Sequence, residues 1–492
     1  MTQKIITRFA PSPTGYVHIG SLRTVLYNYL FAKKNDGKFM LRVEDTDQSR
    51  YVEGSIENML FVLASVGLIP DEGPNNPGEK GPYFQSQRLE IYQKYIAELI
   101  KNDKAYYCFC SSERLDELRN EQQELNLPTK YDQRCRYLTK EEIAQKLEAK
   151  LPYTIRLKVP KNEVIVFDDM IRGKIEIHTK DIDDQVLMKS DGFPTYHFAN
   201  VVDDYLMEVT HVIRGEEWVP STPKHILIYN AFGWTPPLFA HLPLLLGKDK
   251  KKLSKRTGDV SVESYLEKGY IVEALINYIA LLGWNPKTTE EFFTIDELIT
   301  RFDIVNVHKA GAVFDTERLD WFSGKYIASM DNEELFSKLL KYLNKYDESF
   351  YEKITQNEEY AKKILTELKG RMRRFDEFKE FSKFFYEEPN VRQDLLINEK
   401  MKIENFDIVK KGLQLARDIL GAKDKKLTSP EEIKNTFIEA IQESGMKNGQ
   451  VLWPLRVALS GEEFSPGALE LIYLLGKEKS IQRIEKILNT LQ

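Results

Sequence analysis

Apolar positions in the first fifty residues change period twice. Residues 4–10, Lys-Ile-Ile-Thr-Arg-Phe-Ala, form a short apolar run that stops at Pro11-Ser12-Pro13, the pattern of a buried strand ended by a turn. After Gly20, Leu22, Val25, Leu26, Tyr29 and Leu30 recur at helical spacing, and Asn35-Asp36-Gly37 predicts where that helix stops. Phe39-Met40-Leu41-Arg42-Val43 is a second strand pattern and runs into Glu44-Asp45-Thr46-Asp47. Strand, loop, helix, strand opens a Rossmann-like α/β unit, with function expected at the C-terminal ends of the strands.

The pattern breaks at about residue 94. A charged helical stretch over 112–125 and short strand patterns over 153–159 and 164–167 predict an α+β insertion, residues 94–192, with a small core of its own. Strand and helix alternate again over 195–232. Beyond residue 327 only helical patterns remain. Asp331 with Glu334 forms a capping-box pattern before Leu335, Leu339 and Leu343. Ser429-Pro430-Glu431-Glu432 places a cap, a proline at the first helical position and a glutamate at the third. Leu469, Ile472 and Leu475 follow Pro466 at similar spacing, and no internal repeat is evident. The expected fold is multidomain. An α/β unit is formed by residues 1–93 and 193–245 and interrupted by the insertion; residues 246–326 form a connecting region, and 327–492 an all-helical region.

Length and composition agree with several domains. A chain of 492 residues accommodates roughly three to five of them. Residues 1–8 are too polar for a secretory signal, and no run approaches about 18 apolar residues, so the expected location is the cytoplasm, with no membrane partner. The net charge of −6 argues against indiscriminate nucleic-acid binding but not against a specific RNA, because recognition responds to local patches. One patch is Lys248, Lys250, Lys251, Lys252, Lys255 and Arg256; another is Lys369, Arg371, Arg373, Arg374, Lys379 and Lys383. Phe375, Phe378, Phe381, Phe384, Phe385 and Tyr386 interleave with the second, at a spacing that favours core packing over base stacking.

Two segments, 234 residues apart, carry chemistry. His18 stands where the first helix begins, a position whose unpaired backbone N–H groups attract anionic oxygens, and Gly20 lets a nucleotide approach the backbone. Lys252 and Lys255 bracket Leu253-Ser254 just after the apolar run Leu242-Pro243-Leu244-Leu245-Leu246-Gly247, offering point charges to phosphates. Together they point to ATP.

His18-Ile19-Gly20-Ser21 and Lys252-Leu253-Ser254-Lys255-Arg256 resemble the HIGH and KMSKS signatures of class I aminoacyl-tRNA synthetases. Ser21 and Arg256 depart from the last residue of each signature. Arg8-Phe9-Ala10-Pro11-Ser12-Pro13-Thr14-Gly15, residues 42–47, 193–204 and 212–218, and more weakly 453–461, are similar to the bacterial glutamyl-tRNA synthetase branch. The resemblance implies ligation of L-glutamate to the 3′ end of tRNA(Glu) through a glutamyl adenylate, using ATP with Mg2+. It implies that Arg8, Ala10, Ser12, Glu44, Tyr196, Asn200 and Arg214 hold glutamate. ATP falls to His18, Gly20, Glu217, Lys252, Ser254 and Lys255, with His18, Lys252 and Lys255 catalytic. Residues 94–192 would meet the acceptor end, 246–326 the tRNA stem, and 327–492 the anticodon; the family suggests a monomer. Whether tRNA(Gln) is also charged stays open.

All three cysteines fall in one stretch, as Cys108-Phe109-Cys110 and, after 24 residues, Cys135. Such a set can hold zinc, or it can be three reduced thiols packed together. Some relatives carry a structural zinc here with a fourth ligand at the place of Tyr137, so the resemblance implies Cys108, Cys110, Cys135 and Tyr137. Two rival readings stand beside this one. A glutaminyl-tRNA synthetase is opposed by Pro11-Ser12-Pro13-Thr14 and the helical C-terminal third. A catalytically silent RNA-binding paralogue is opposed by the presence of His18, Lys252 and Lys255.

Overall fold

The structure, a computed structural model, describes residues 4–253, 261–422 and 427–491; Ser254 and Lys255, expected to bind ATP, lie outside them. Strand β1 (Ile6–Phe9) is buried along its whole length and ends before Pro11 and Pro13. Helix α1 (Ile19–Lys34) follows, with Lys33 and Lys34 in its last turn, where positive charge complements the carbonyl end. Strand β2 (Lys38–Leu41) returns parallel to β1, with Ile6 opposite Lys38 and Phe9 opposite Leu41. The expected strand–helix–strand opening is therefore present, its boundaries shifted by only a residue or two.

Next come α2 (Ser55–Ser65), α3 (Leu89–Lys101), β3 (Ala105–Cys108), α4 (Ser112–Glu124) and α5 (Lys140–Glu148). They are followed by β4 (Thr154–Leu157), β5 (Val164–Asp169), β6 (Gly173–His178) and β7 (Val186–Met188). Helix α6 (Tyr196–Leu206), β8 (His211–Gly215), α7 (Thr222–Phe232) and β9 (Leu238–Leu242) complete the α/β part. Strands β3, β4 and β7 form an antiparallel sheet, and a second sheet has the order β6-β5-β9-β8. In that sheet β5, β9 and β8 are parallel, with Asp169 opposite Phe239 and Arg214 opposite His241. Thr210 N donates to the Ile6 carbonyl at 3.0 Å, and Ile6 N donates to Thr210 Oγ1 at 2.9 Å, stitching β1 to the start of β8.

Segment 94–192, expected to have a small core of its own, also feeds the large one. Ile155, Leu157, Ile165, Phe167 and Leu187 pack in the same cluster as Met40, Tyr92, Phe198, Val202 and Phe239. The cause lies in β5. Its residues alternate exposed and buried, so Ile165, Phe167 and Asp169 turn inward while Val164, Val166 and Asp168 face out. A smaller cluster of Tyr106, Cys108, Tyr131 and Cys135 sits beside it.

The chain divides into two compact units, Met1–Tyr265 with Leu275–Thr316, and Leu266–Ala274 with Glu317–Gln492. The second is helical throughout its described elements. Asp331 caps the helix Asn332–Tyr346 by accepting from Glu333 N and Glu334 N, and Ser429 caps Pro430–Ser444 by accepting from Glu432 N. Gly412 lets the helix Phe406–Gly421 cross Asn448–Ser460, because a Cβ there would strike the Gln450 carbonyl. Phe375, Phe378, Phe384 and Phe385 are all buried, so these four aromatics of the basic stretch are core.

Candidate active site

The C-terminal ends of β1, β2 and β8 and the buried face of α6 converge on a dense set of charges. Arg8 is buried and donates to Asp204 through Nε at 3.1 Å and Nη2 at 3.2 Å. Arg42, wholly buried, donates to Asp204 through Nη1 at 2.7 Å and to Glu44 Oε1 through Nη2 at 2.9 Å. Asp203 accepts from Arg88 Nε at 2.7 Å and from Tyr92 Oη at 2.6 Å. Three guanidiniums, Arg8, Arg42 and Arg88, thus face three carboxylates, Glu44, Asp203 and Asp204, and the set is neutral. Burial raises the Asp204 carboxyl, but Arg8 and Arg42 outweigh it and hold it below its ordinary value. For Glu44 burial prevails and raises the carboxyl.

Arg214 is different. It is buried at the end of β8, yet no carboxylate pairs with it among the described residues. Its donors reach neutral groups: Nε to His241 Nε2 at 3.1 Å, Nη1 to Tyr196 Oη at 3.3 Å, and Nη2 to Thr222 Oγ1 at 2.9 Å. His225 Nδ1 lies 3.4 Å from Nη1. Burial lowers the guanidinium from its ordinary value and pushes the Tyr196 phenol up to about 12. A buried cation without a partner is costly unless something arrives to pair it.

The expected glutamate ligands are brought together around these groups. Asn200, buried, donates to Glu44 Oε1 at 3.1 Å, leaving Glu44 Oε2 without a bond among the described residues. The carbonyls of Phe9 and Pro11 accept from Arg42 N and Glu44 N and so bracket Ala10 beside that carboxylate. Ser12 is exposed on the wall of an adjoining cleft of about 220 Å³, formed by the loop 11–18, Ser21 and Val43 with Ser55, Ile56 and Met59 of α2.

His18 shares that wall. Its Nδ1 accepts from Ser21 N at 3.1 Å and caps α1, while Nε2 lies 3.1 Å from Ser21 Oγ. At Gly20 a Cβ would come within 3.0 Å of the His18 ring, so a larger residue would displace the histidine. Glu217 stands exposed in the short helical stretch Glu216–Ser221, just after β8. Lys252 is exposed in a hairpin: it bridges Leu246, and Leu253 N donates to the Leu245 carbonyl at 2.9 Å. On the far side of residues 254–260, Ser261 bridges His18 and Val262 N donates to the Val17 carbonyl at 3.0 Å. The described ends of that segment are therefore held at Leu245 and at His18.

The three cysteine sulfurs lie within 4.8 Å of one another, a set able to hold a metal ion. Tyr137 is not with them: it is 66% exposed and its hydroxyl accepts from Lys161 Nζ at 2.6 Å. The phenol among the sulfurs is Tyr131, whose Oη lies 3.3 Å from Cys108 Sγ and 3.5 Å from Cys110 Sγ. Tyr131 and Cys135 are four residues apart, and Cys135 N donates to the Tyr131 hydroxyl at 2.9 Å. Arg114 Nη1 lies 3.6 Å from Cys110 Sγ, and Arg156 stacks 4.0 Å over the Tyr131 ring.

Residues 4–321 match the family of class I (E and Q) tRNA synthetase catalytic domains, and residues 334–488 match an anticodon binding domain. The chain belongs to the class I tRNA synthetases. Among curated relatives it is 45% identical to the glutamate–tRNA ligase of Clostridioides difficile (strain 630), over 98% of this chain and 99% of that one. It is 46% identical to that of Clostridium tetani (strain Massachusetts / E88), over 98% of this chain and 97% of the relative. A crystal structure of a glutamate tRNA ligase from Elizabethkingia meningosepticum CCUG26117, in complex with its amino acid, matches with a TM-score of 0.89 at 40% identity. The match covers 99% of this chain and 100% of that one.

Within this synthetase chain several site residues have no role assigned by the sequence motifs. Arg42, Asp203 and Asp204 bind Arg8 and Glu44 or one another, and Asp169, Thr222, His225 and His241 surround Arg214. The first three lie inside segments that carry the resemblance, and their signal is charge in otherwise apolar runs. Asp169 and His241 also stand in apolar runs, residues 164–171 and 238–242, but outside the segments that carry the resemblance.

Proposed function

We propose that this chain ligates L-glutamate to the 3′ end of tRNA(Glu), forming glutamyl adenylate from glutamate and ATP with Mg2+. The observation that carries this reading is how the buried arginines are paired. Arg8, Arg42 and Arg88 each contact a carboxylate, whereas Arg214 contacts none among the described residues, Asp169 being held behind His241. The side-chain carboxylate of glutamate would pair with Arg214 directly; the neutral amide of glutamine would leave it without a contacting anion. That favours glutamate over the glutaminyl alternative.

In this reading Arg8 Nη1 and Arg214 take the carboxylates of glutamate, and the free oxygen of Glu44 faces its ammonium. Ala10, Ser12, Tyr196 and Asn200 complete the pocket. His18, Gly20, Glu217, Lys252, Ser254 and Lys255 hold ATP. The α-carboxylate oxygen attacks the α-phosphorus, the bond to the bridging oxygen breaks, and diphosphate leaves. A ribose hydroxyl of the terminal adenosine then attacks the acyl carbon, and AMP leaves. Catalysis is positioning and charge stabilisation, with His18, Lys252 and Lys255 donating to phosphate oxygens as negative charge builds. Residues 94–192 would contact the acceptor end, 246–326 the stem, and 327–492 the anticodon, in a cytoplasmic monomer. The sulfurs of Cys108, Cys110 and Cys135 with the Tyr131 hydroxyl fit a zinc ion, which would act as a structural tie.

The test is charging of pure tRNA(Glu) and tRNA(Gln) transcripts with labelled glutamate or labelled glutamine. Glutamate on tRNA(Glu) is expected. Glutamate on both tRNAs would add misacylation of tRNA(Gln), and glutamine on either would overturn the charge argument.

A further inference from the structure

Arg214 has a guanidinium whose direction matters and no carboxylate among the described residues to fix it. What fixes it is an imidazole. His241 sits directly opposite Arg214 on the neighbouring parallel strand β9 and is buried. Arginine Nε can only donate, so His241 Nε2, at 3.1 Å, must accept, and the ring proton must reside on Nδ1. His241 Nδ1 lies 2.6 Å from Asp169 Oδ2. Asp169 cannot turn away: its Oδ1 accepts from Ile171 N at 3.0 Å, Arg172 N at 2.8 Å and His241 N at 3.3 Å. Thr222 Oγ1, which accepts from Arg214 Nη2, lies 3.1 Å from His241 Nε2 and locks the second edge.

We propose that Asp169 and His241 are positioning residues for the amino-acid substrate: the carboxylate selects the Nδ1–H tautomer, which leaves Nε2 free to hold Arg214 toward the substrate carboxylate. This rests on the reading of Arg214 as a carboxylate ligand. Burial lowers His241 from its ordinary value, so the ring stays neutral and keeps its acceptor. For Asp169, burial raises the carboxyl but the His241 bond and the backbone N–H groups overturn this, leaving it ionised. Asp169 comes from the segment between the two halves of the α/β unit, so that segment reaches Arg214 through His241.

Asp169→Asn keeps the size and can keep the backbone bonds, but its amide N–H would face His241 Nδ1. The ring proton would move to Nε2 and confront the N–H of Arg214. Steady-state charging of tRNA(Glu) is compared for the full-length wild type, Asp169→Asn, Arg214→Ala and the double variant. Asp169→Asn is expected to raise the glutamate KM roughly 10–100-fold, the usual effect of losing a bond to a charged group. The ATP KM and kcat should stay within about twofold, and the double variant should match Arg214→Ala alone. A glutamate KM unchanged in Asp169→Asn while Arg214→Ala is impaired would overturn the positioning pair and leave the proposed function standing. An unimpaired Arg214→Ala would overturn the reading of Arg214 itself. Equal changes in the ATP KM would show a general distortion and also count against the pair. Should Asp169→Asn not fold, His241→Gln, whose carbonyl can accept from Arg214, is expected to retain more glutamate affinity than His241→Leu. Equal loss in both would overturn the proposal.

Discussion

Arg8 and Arg214 both lie within electrostatic reach of Tyr196, both buried and both expected to meet the substrate, in opposite surroundings. Around Arg8 the neighbours are carboxylates: Asp204 pairs with it, Arg42 shares Asp204, and Glu44, Asp203 and Arg88 complete a neutral lattice. Around Arg214 they are imidazoles and hydroxyls, His241, His225, Tyr196 and Thr222. A buried arginine that already has its carboxylate is mostly architecture. One held only by neutral acceptors is waiting for an anion.

The largest effect that can break this comparison comes from Asp204→Ala. It strands Arg8 and takes one of the carboxylates from Arg42, which keeps Glu44, and removing one partner from a buried pair costs about 3–5 kcal/mol of stability. The drop should appear in urea unfolding, whereas Arg214→Ala strands no protein charge and should leave unfolding almost unmoved. A comparable loss in both variants would end the distinction. Arg214→Ala should instead raise the glutamate KM about 10²–10³-fold with the ATP KM unchanged, because the incoming carboxylate is left unpaired.

Acid should separate the two surroundings by pH window. His197, whose Nδ1 lies 3.0 Å from His225 Nε2, is held at about 4 by burial, with Lys224 and Arg214 adding to the effect. The unfolded chain therefore binds a proton below about pH 6.5 that the folded chain refuses until about pH 4. Stability falls across that window as pH drops, by at most about 1.4 kcal/mol per pH unit for one proton. His197→Gln should flatten the fall, measured by urea titration at several pH values. The Asp204 contribution is fully present above about pH 3.9 and is lost only as pH falls through its depressed folded value, so the two losses should not overlap much.

The cysteine cluster repeats the logic with the sign reversed, since three thiols and a phenol, flanked by Arg114 and Arg156, become anionic donors when a cation displaces their protons. Tyr131→Phe should weaken zinc retention about tenfold in a chelator competition. Tyr137→Phe should leave it within about twofold. The reverse order would restore Tyr137 as the ligand.

Elements with a strong local period are legible in the sequence alone. The helix from residue 19 to 34 follows from its apolar spacing and from Asn35-Asp36-Gly37, and the cap at Ser429 from its own side chain and Pro430. The place of His18 at the start of α1 is legible because a strand, a proline-rich turn and a helix flank it. The expectation for Tyr137 rests on family spacing. In the folded chain the one-turn stretch Arg134–Tyr137 buries Cys135 but points Tyr137 outward, and Tyr131 fills the place.

By itself the sequence determined the periods, the stops and caps, and the residue types proposed to meet ATP and glutamate, because these depend on backbone preferences and motifs a few residues long. The tertiary structure decided which charges cancel. Arg8 meets Asp204 across 196 positions, His241 meets Asp169 across 72, and Arg214 meets no carboxylate among the described residues. Pairing of that kind is set by strand order and register, as where parallel β8 and β9 bring Arg214 opposite His241, and no local pattern encodes it.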